Sequence, residues 1–183
     1  MLNNQKPQPN WGYLVGLTCA LTIGLFSVGF AIVGNNQVGG ILAQKLKWGS
    51  NTDLINTAIS SLSILGLVLG SFAVTPLLKK GRRVTILVSN LVIVGASLCL
   101  LILNTYAILA FKFVFGFACG CLIVASSLFL NETIPAETSH VFGFSTNFGV
   151  ICGITICLVL GFGLPNSDTD PQLAESNNFW MVI

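Results

Sequence analysis

The residues of this chain that could do chemistry are few, and their spacing limits what that chemistry can be. Six cysteines stand at positions 19, 99, 119, 121, 152 and 157, each inside an apolar run. Cys119 and Cys121 come nearest to a disulfide or zinc-ligand pair, but in such surroundings they read as small apolar side chains. His140 is the lone histidine and stands at the edge of a polar stretch. No nucleophile–base pair, metal-ligand cluster or phosphate-binding loop is spaced for catalysis, so neither enzyme activity nor a cofactor or metal is expected. The strongest chemical signal is a cluster of cations, Lys79, Lys80, Arg82 and Arg83 around Gly81, set between two apolar runs.

That setting dictates the elements that must carry these residues. Of 183 residues, 54% are hydrophobic and 8% charged, against about 25% charged in soluble domains. The net charge of +2 and a single basic cluster argue against nucleic acid as a partner. An apolar run that ends in a short basic loop and is followed at once by another apolar run is two spanning helices, since a backbone amide in hydrocarbon must be paired within its own segment. Five such spans are expected, over residues 11–33, 54–78, 84–103, 106–130 and 139–164, packed as an all-α multipass membrane protein. Residues 1–10 read as a polar tail, 34–53 and 131–138 as polar loops, and 104–105 as a tight turn. A further loop covers 165–178, and 179–183 open a sixth helix.

Charge sets the expected orientation. Lys6, Lys79, Lys80, Arg82 and Arg83 fall on one side, against Lys45 and Lys47 on the other, which puts the N-terminus and the basic loop in the cytoplasm. The sequon Asn131-Glu132-Thr133 then lies inside the cell and stays unused. Trp11 and Tyr13 suit the headgroup level. Gly66 and Gly70 lie four apart on one helix face, where a neighbouring helix can approach closely.

Three stretches, in this order and on these spans, make the chain similar to the N-terminal half of a major facilitator superfamily transporter. Within that superfamily it resembles the sugar porters, including the facilitative hexose transporters. Gly70-Ser-Phe-Ala-Val followed by Gly81-Arg82-Arg83 resembles the signature between helices two and three. Lys112-Phe-Val-Phe-Gly116-Phe-Ala-Cys-Gly120 resembles the fourth-helix pattern of a basic residue and two glycines at spacings of four. Glu132-Thr-Ile-Pro135, then Gly143, Asn147, Gly149 and Gly153, resembles the loop and fifth helix that follow.

Several positions depart from the family. Leu78 stands where an acid is usual, Lys112 replaces an arginine, and Ser139-His140 replaces Arg-Gly. Asn147 stands where the family has a sugar-binding glutamine. Gly29-Phe30-Ala31 lies near the place where proton-coupled members carry an aspartate.

The resemblance implies a hexose or related small polar solute moved by alternating access between two helical halves. With no carboxylate inside the expected spans, passive uniport at the plasma membrane is the expected form. Asn147 is the leading substrate contact, because an amide offers a donor and an acceptor to paired hydroxyls; stabilising contact with a neighbouring helix is the structural alternative. Thr18, Thr22 and Asn56 are weaker lining candidates. Arg82 and Arg83 are expected to pair with Glu132 as a cytoplasmic latch, besides setting topology. Gly66, Gly70, Gly116, Gly120, Gly149 and Gly153 are expected to pack helices. Lys112 is expected to snorkel to the headgroups or hold a helix end.

The expected partners are the lipid bilayer, a sugar-like solute, and either a C-terminal half that this sequence does not contain or further copies of the chain. The 183 residues alone are expected to be unstable as a monomer and inactive in transport. The alternative reading is a truncated, non-transporting membrane protein with a structural or regulatory role, and a small homo-oligomeric pore is a third.

Overall fold

A computed structural model describes residues 11–46, 48–79, 81–100, 104–134 and 139–162. The expected tail at 1–10, the loop at 165–178 and the sixth-helix start at 179–183 lie outside these residues. The described residues form five α-helices: α1 (Trp11–Lys45), α2 (Thr52–Leu78), α3 (Arg82–Cys99), α4 (Thr105–Thr133) and α5 (Ser139–Gly161), with a 3-10 turn at Gly49–Asn51 before α2. Each contains a stretch long and apolar enough to cross a membrane, and the protein is an all-α multipass membrane protein.

Several boundaries differ from the sequence expectation. The first helix does not end near residue 33 but continues to Lys45, for 35 residues. At about 1.5 Å per residue that is ~52 Å, well beyond a hydrocarbon core of about 30 Å. The polar stretch expected at 34–53 is therefore largely helix. Its apolar side is covered, with Val38 and Ala43 buried, so packing overrides a local sequence rich in Asn, Gln and Gly. The fourth helix begins at Thr105 and keeps Asn131 and Glu132 in its last turn rather than in a loop. Asn104 is its N-cap, accepting from the Tyr106 amide at 3.1 Å, which accounts for the turn expected there. The third helix ends at Cys99.

The packing is organised around two close pairs, α1 with α5 and α2 with α4, while α3 lies against α4. The α1–α5 pair is parallel: a Cβ on Gly149 would meet the Thr22 carbonyl at 2.7 Å, and one on Gly153 would press on the Phe26 carbonyl. The reverse contact exists too, since a Cβ on Gly29 would run into the Val150 carbonyl. The α2–α4 pair is built the same way. Gly66 and Gly70 lie on the Phe113 and Phe117 carbonyls of α4, and Gly116 and Gly120 lie on the Ser63 and Leu67 carbonyls of α2. No side chain fits at these points, which is why glycine occupies them.

Helix α4 is the most enclosed element, with buried positions from Ile108 to Leu130. It shares one apolar cluster with α1 and α3 around Val28, Ile93, Phe115 and Leu122. A second, with α2, holds Val74, Cys121 and Ala125. A third closes the C-terminal part of α1 against α2 and α4 through Ala43, Trp48, Ile59 and Ile108.

Candidate functional site

The solute-contact candidates occupy three different settings. Asn147 is exposed on α5. It lies two residues from Gly149, about 200° around the helix, while Gly149 and Gly153 face α1. Thr18 is buried, and its hydroxyl donates to the Leu14 carbonyl of its own helix at 2.7 Å. The Thr22 hydroxyl is likewise back-bonded, to the Thr18 carbonyl at 2.8 Å, and it also shares a hydrogen bond with Ser145 Oγ at 2.6 Å. Both threonine hydroxyls thus have partners within the protein, and Thr22 joins α1 to α5. Asn56, on α2, faces Gly39 of α1, where a Cβ would come 2.7 Å from its Oδ1.

A cavity of about 150 Å³ lies between α1, α2 and α4, and its lining includes none of these four residues. Ser60 and Ser63 of α2 are its polar side chains, set among Val28, Ala31, Ile32 and Phe115. Nothing in the sequence marks this space. Its walls are ordinary apolar residues, and it exists only because α1 meets α2 and α4 more sparingly than the close pairs meet each other.

At the basic end the arginines divide their work. Arg82 forms an ion pair with Glu132 of α4 and reaches the Leu128 carbonyl at 3.5 Å. Arg83 turns elsewhere: its Nη2 donates to the Tyr13 hydroxyl of α1 at 3.0 Å, and its guanidinium carbon lies 5.9 Å from the centre of the Phe129 ring. Of the two arginines expected to pair with Glu132, Arg82 does so, while Arg83 meets an acceptor in the Tyr13 hydroxyl and a π face in Phe129. Tyr13, expected only to sit at the headgroup level, is half exposed and ties α1 to α3.

The loop that carries the cations is held by a residue with no sequence signal of its own. Thr85 is buried, and its hydroxyl lies 3.1 Å from both the Leu77 carbonyl at the end of α2 and the Gly81 carbonyl. Carbonyls in the last turn of a helix have no partner within it, so one hydroxyl fastens two helix ends. Gly81 has φ of +125°, a conformation open to glycine and strained for other residues.

Lys112 sets its ammonium 5.9 Å from the centre of the Phe115 ring, a contact not foreseen for it. The Cys121 thiol approaches the Gly70 carbonyl at 3.3 Å, within the α2–α4 contact. Among the described residues no group of three or more His, Cys, Asp or Glu side chains is placed to hold a metal ion.

Comparison with known proteins gives these features a common setting. Residues 36–182 match the family described as sugar (and other) transporter. A relative from Saccharomyces cerevisiae, YBR241C, named for metabolite transport, is 31% identical over 113 residues, covering 58% of this chain and 23% of that protein. YfiG of Bacillus subtilis, also named for metabolite transport, is 29% identical over 106 residues, covering 57% of this chain and 21% of that protein. The matched stretch therefore spans less than a quarter of either relative. The family match runs through all of α2 to α5, including the glycine contacts and the basic loop, and the chain belongs to the sugar (and other) transporter family, within the sugar porters of the major facilitator superfamily.

Proposed function

We propose that these helices form part of the wall of an alternating-access path for a hexose or a related small polar solute, and that the transport is facilitative. The observation that carries the reading is the placement of Asn147 within a sugar-transporter family match. Its amide is exposed on α5, while the glycines beside it are held against α1. An amide left in hydrocarbon is costly, whereas one facing a solute path can bond a pair of hydroxyls. Passive transport is supported by the acidic residues of the described helices. Asp53 lies in the first turn of α2 and Glu132 in the last turn of α4, with no carboxylate between such helix ends.

The test uses the protein at its full natural length in sealed vesicles. Saturable, stereoselective hexose flux is expected, about tenfold weaker in kcat/KM for Asn147→Ala, as for one lost hydrogen bond, and largely kept in Asn147→Gln. An imposed proton gradient should leave the initial rate unchanged. Flux that is indifferent to Asn147→Ala removes the residue from the path, and flux that rises with the gradient removes the facilitative reading.

A further inference from the structure

The Arg83 junction has an electrostatic property that the latch does not use. Among the described residues at this end of the bundle, the single carboxylate is Glu132, and it is taken by Arg82. The contacts of Arg83 are neutral: the Tyr13 hydroxyl and the face of Phe129. They fix the direction of the guanidinium without cancelling its charge, and a guanidinium has five N–H donors, of which Tyr13 takes one. Lys79 stands nearby in the same loop and is exposed.

The surroundings suit an amphipathic anion better than a free one. Tyr13 and Trp11, both about half exposed, flank the junction at the start of α1, in the manner of residues at a headgroup layer. Along α3 from Arg83, the positions one and two turns on are Leu87 and Leu91, which are 65% and 72% exposed. They form an outward apolar strip beginning at the cation. A phosphate held at Arg83 would thus continue into a surface made for acyl chain. The first turn of α3 adds to the field, because its N-cap Gly81 supplies no side-chain hydrogen bond to the leading amides.

We propose that Arg83, oriented by Tyr13 and Phe129, is a binding site for the phosphodiester of an anionic phospholipid at the junction of α1, α3 and α4. This is independent of which solute, if any, the protein carries. Juxtamembrane cations attract anionic headgroups through charge alone; what distinguishes this site is that one arginine is held in place while its neighbour is neutralised. Lipid seated there would bridge the starts of α1 and α3.

The test is lipid titration of the full chain in detergent, read by native mass spectrometry, with phosphatidylglycerol and phosphatidylcholine compared in the same spray. The first phosphatidylglycerol should bind at least about fivefold more tightly than phosphatidylcholine, the advantage of one well-placed cation. Arg83→Gln should abolish that preference, and Tyr13→Phe, which removes a single hydroxyl, should reduce it about twofold to threefold. Lys79→Gln should change it less than twofold. Phosphatidylcholine binding serves as the internal check on folding and should hold in every variant. Equal losses for Lys79→Gln and Arg83→Gln would show a diffuse basic loop and overturn the site. So would no preference in the parent, or displacement of the lipid by millimolar inorganic phosphate.

Discussion

A single methyl group is enough to probe the contacts on which the helix pairs depend. At Gly70 a Cβ would press on the Phe117 carbonyl, and backbone cannot move aside as a flexible side chain can. Gly70→Ala should therefore destabilise the protein by about 1–3 kcal/mol, the usual scale for overpacking, with a lowered melting temperature in detergent. Gly95→Ala, where nothing lies within 4 Å, should be neutral or stabilising by up to about 1 kcal/mol because alanine is the better helix former. Equal effects at the two positions would mean that Gly70 is not a packing contact. The ion pair is a weaker element. With the Arg82 and Glu132 side chains 32% and 52% exposed, Arg82→Gln should cost no more than about 1 kcal/mol. The double swap Arg82→Glu with Glu132→Arg should recover most of that in a thermal scan. At this scale the glycines were legible because a spacing of four marks one helix face. Gly29 and Thr85 were not. Gly29 meets Val150, far along the chain, and Thr85 bonds to carbonyls, which every residue has and no sequence distinguishes.

The long first helix shows how an element can outrun its own local sequence. Asn35, Asn36, Gln37, Gly39 and Gly40 read as a loop because their propensities and polarity favour one. The helix continues because Val38 and Ala43 have somewhere to be buried and because Trp48 closes over the cluster that holds Ala43. Trp48 is 8% exposed and donates through Nε1 to Thr105 Oγ1 at 2.8 Å, joining the end of α1 to the start of α4. Trp48→Ala should cost about 3–5 kcal/mol, with the loss local: amide exchange should quicken over residues 35–45 and hold over 11–33. Thr105→Val should cost about 1 kcal/mol, one neutral hydrogen bond. If exchange rises evenly along α1 in Trp48→Ala, the C-terminal segment of the helix is not fastened at this point. The spans themselves were legible from composition; the fastening was not, since it depends on one aromatic residue in a stretch that otherwise reads as polar.

How five spans choose their neighbours was the least legible feature, for every span is apolar and the membrane gives no preference among them. The choice is made by glycine faces. Where those faces meet, α1 closes on α5 and α2 on α4; where they do not, α1 stands off from α2 and α4, leaving the cavity of about 150 Å³. An open space lined mostly by apolar side chains forfeits dispersion contacts on every wall, so its two kinds of wall residue should respond to enlargement with opposite signs. Ala31 borders the space from α1, and Ala31→Leu should fill part of it and stabilise by about 0.5–2 kcal/mol. Gly116 borders it from α4, but a Cβ there would strike the Ser63 carbonyl, so Gly116→Leu should pry α2 from α4 and destabilise. Thermal unfolding of both variants in one lipid–detergent mixture gives the comparison. A rise for Ala31→Leu and a fall for Gly116→Leu would show that the helix pairs are tight units meeting across a loose seam, which is where one pair could slide on the other. Two falls would mean that the space is already closed by lipid or by protein, and that the bundle moves as a single block.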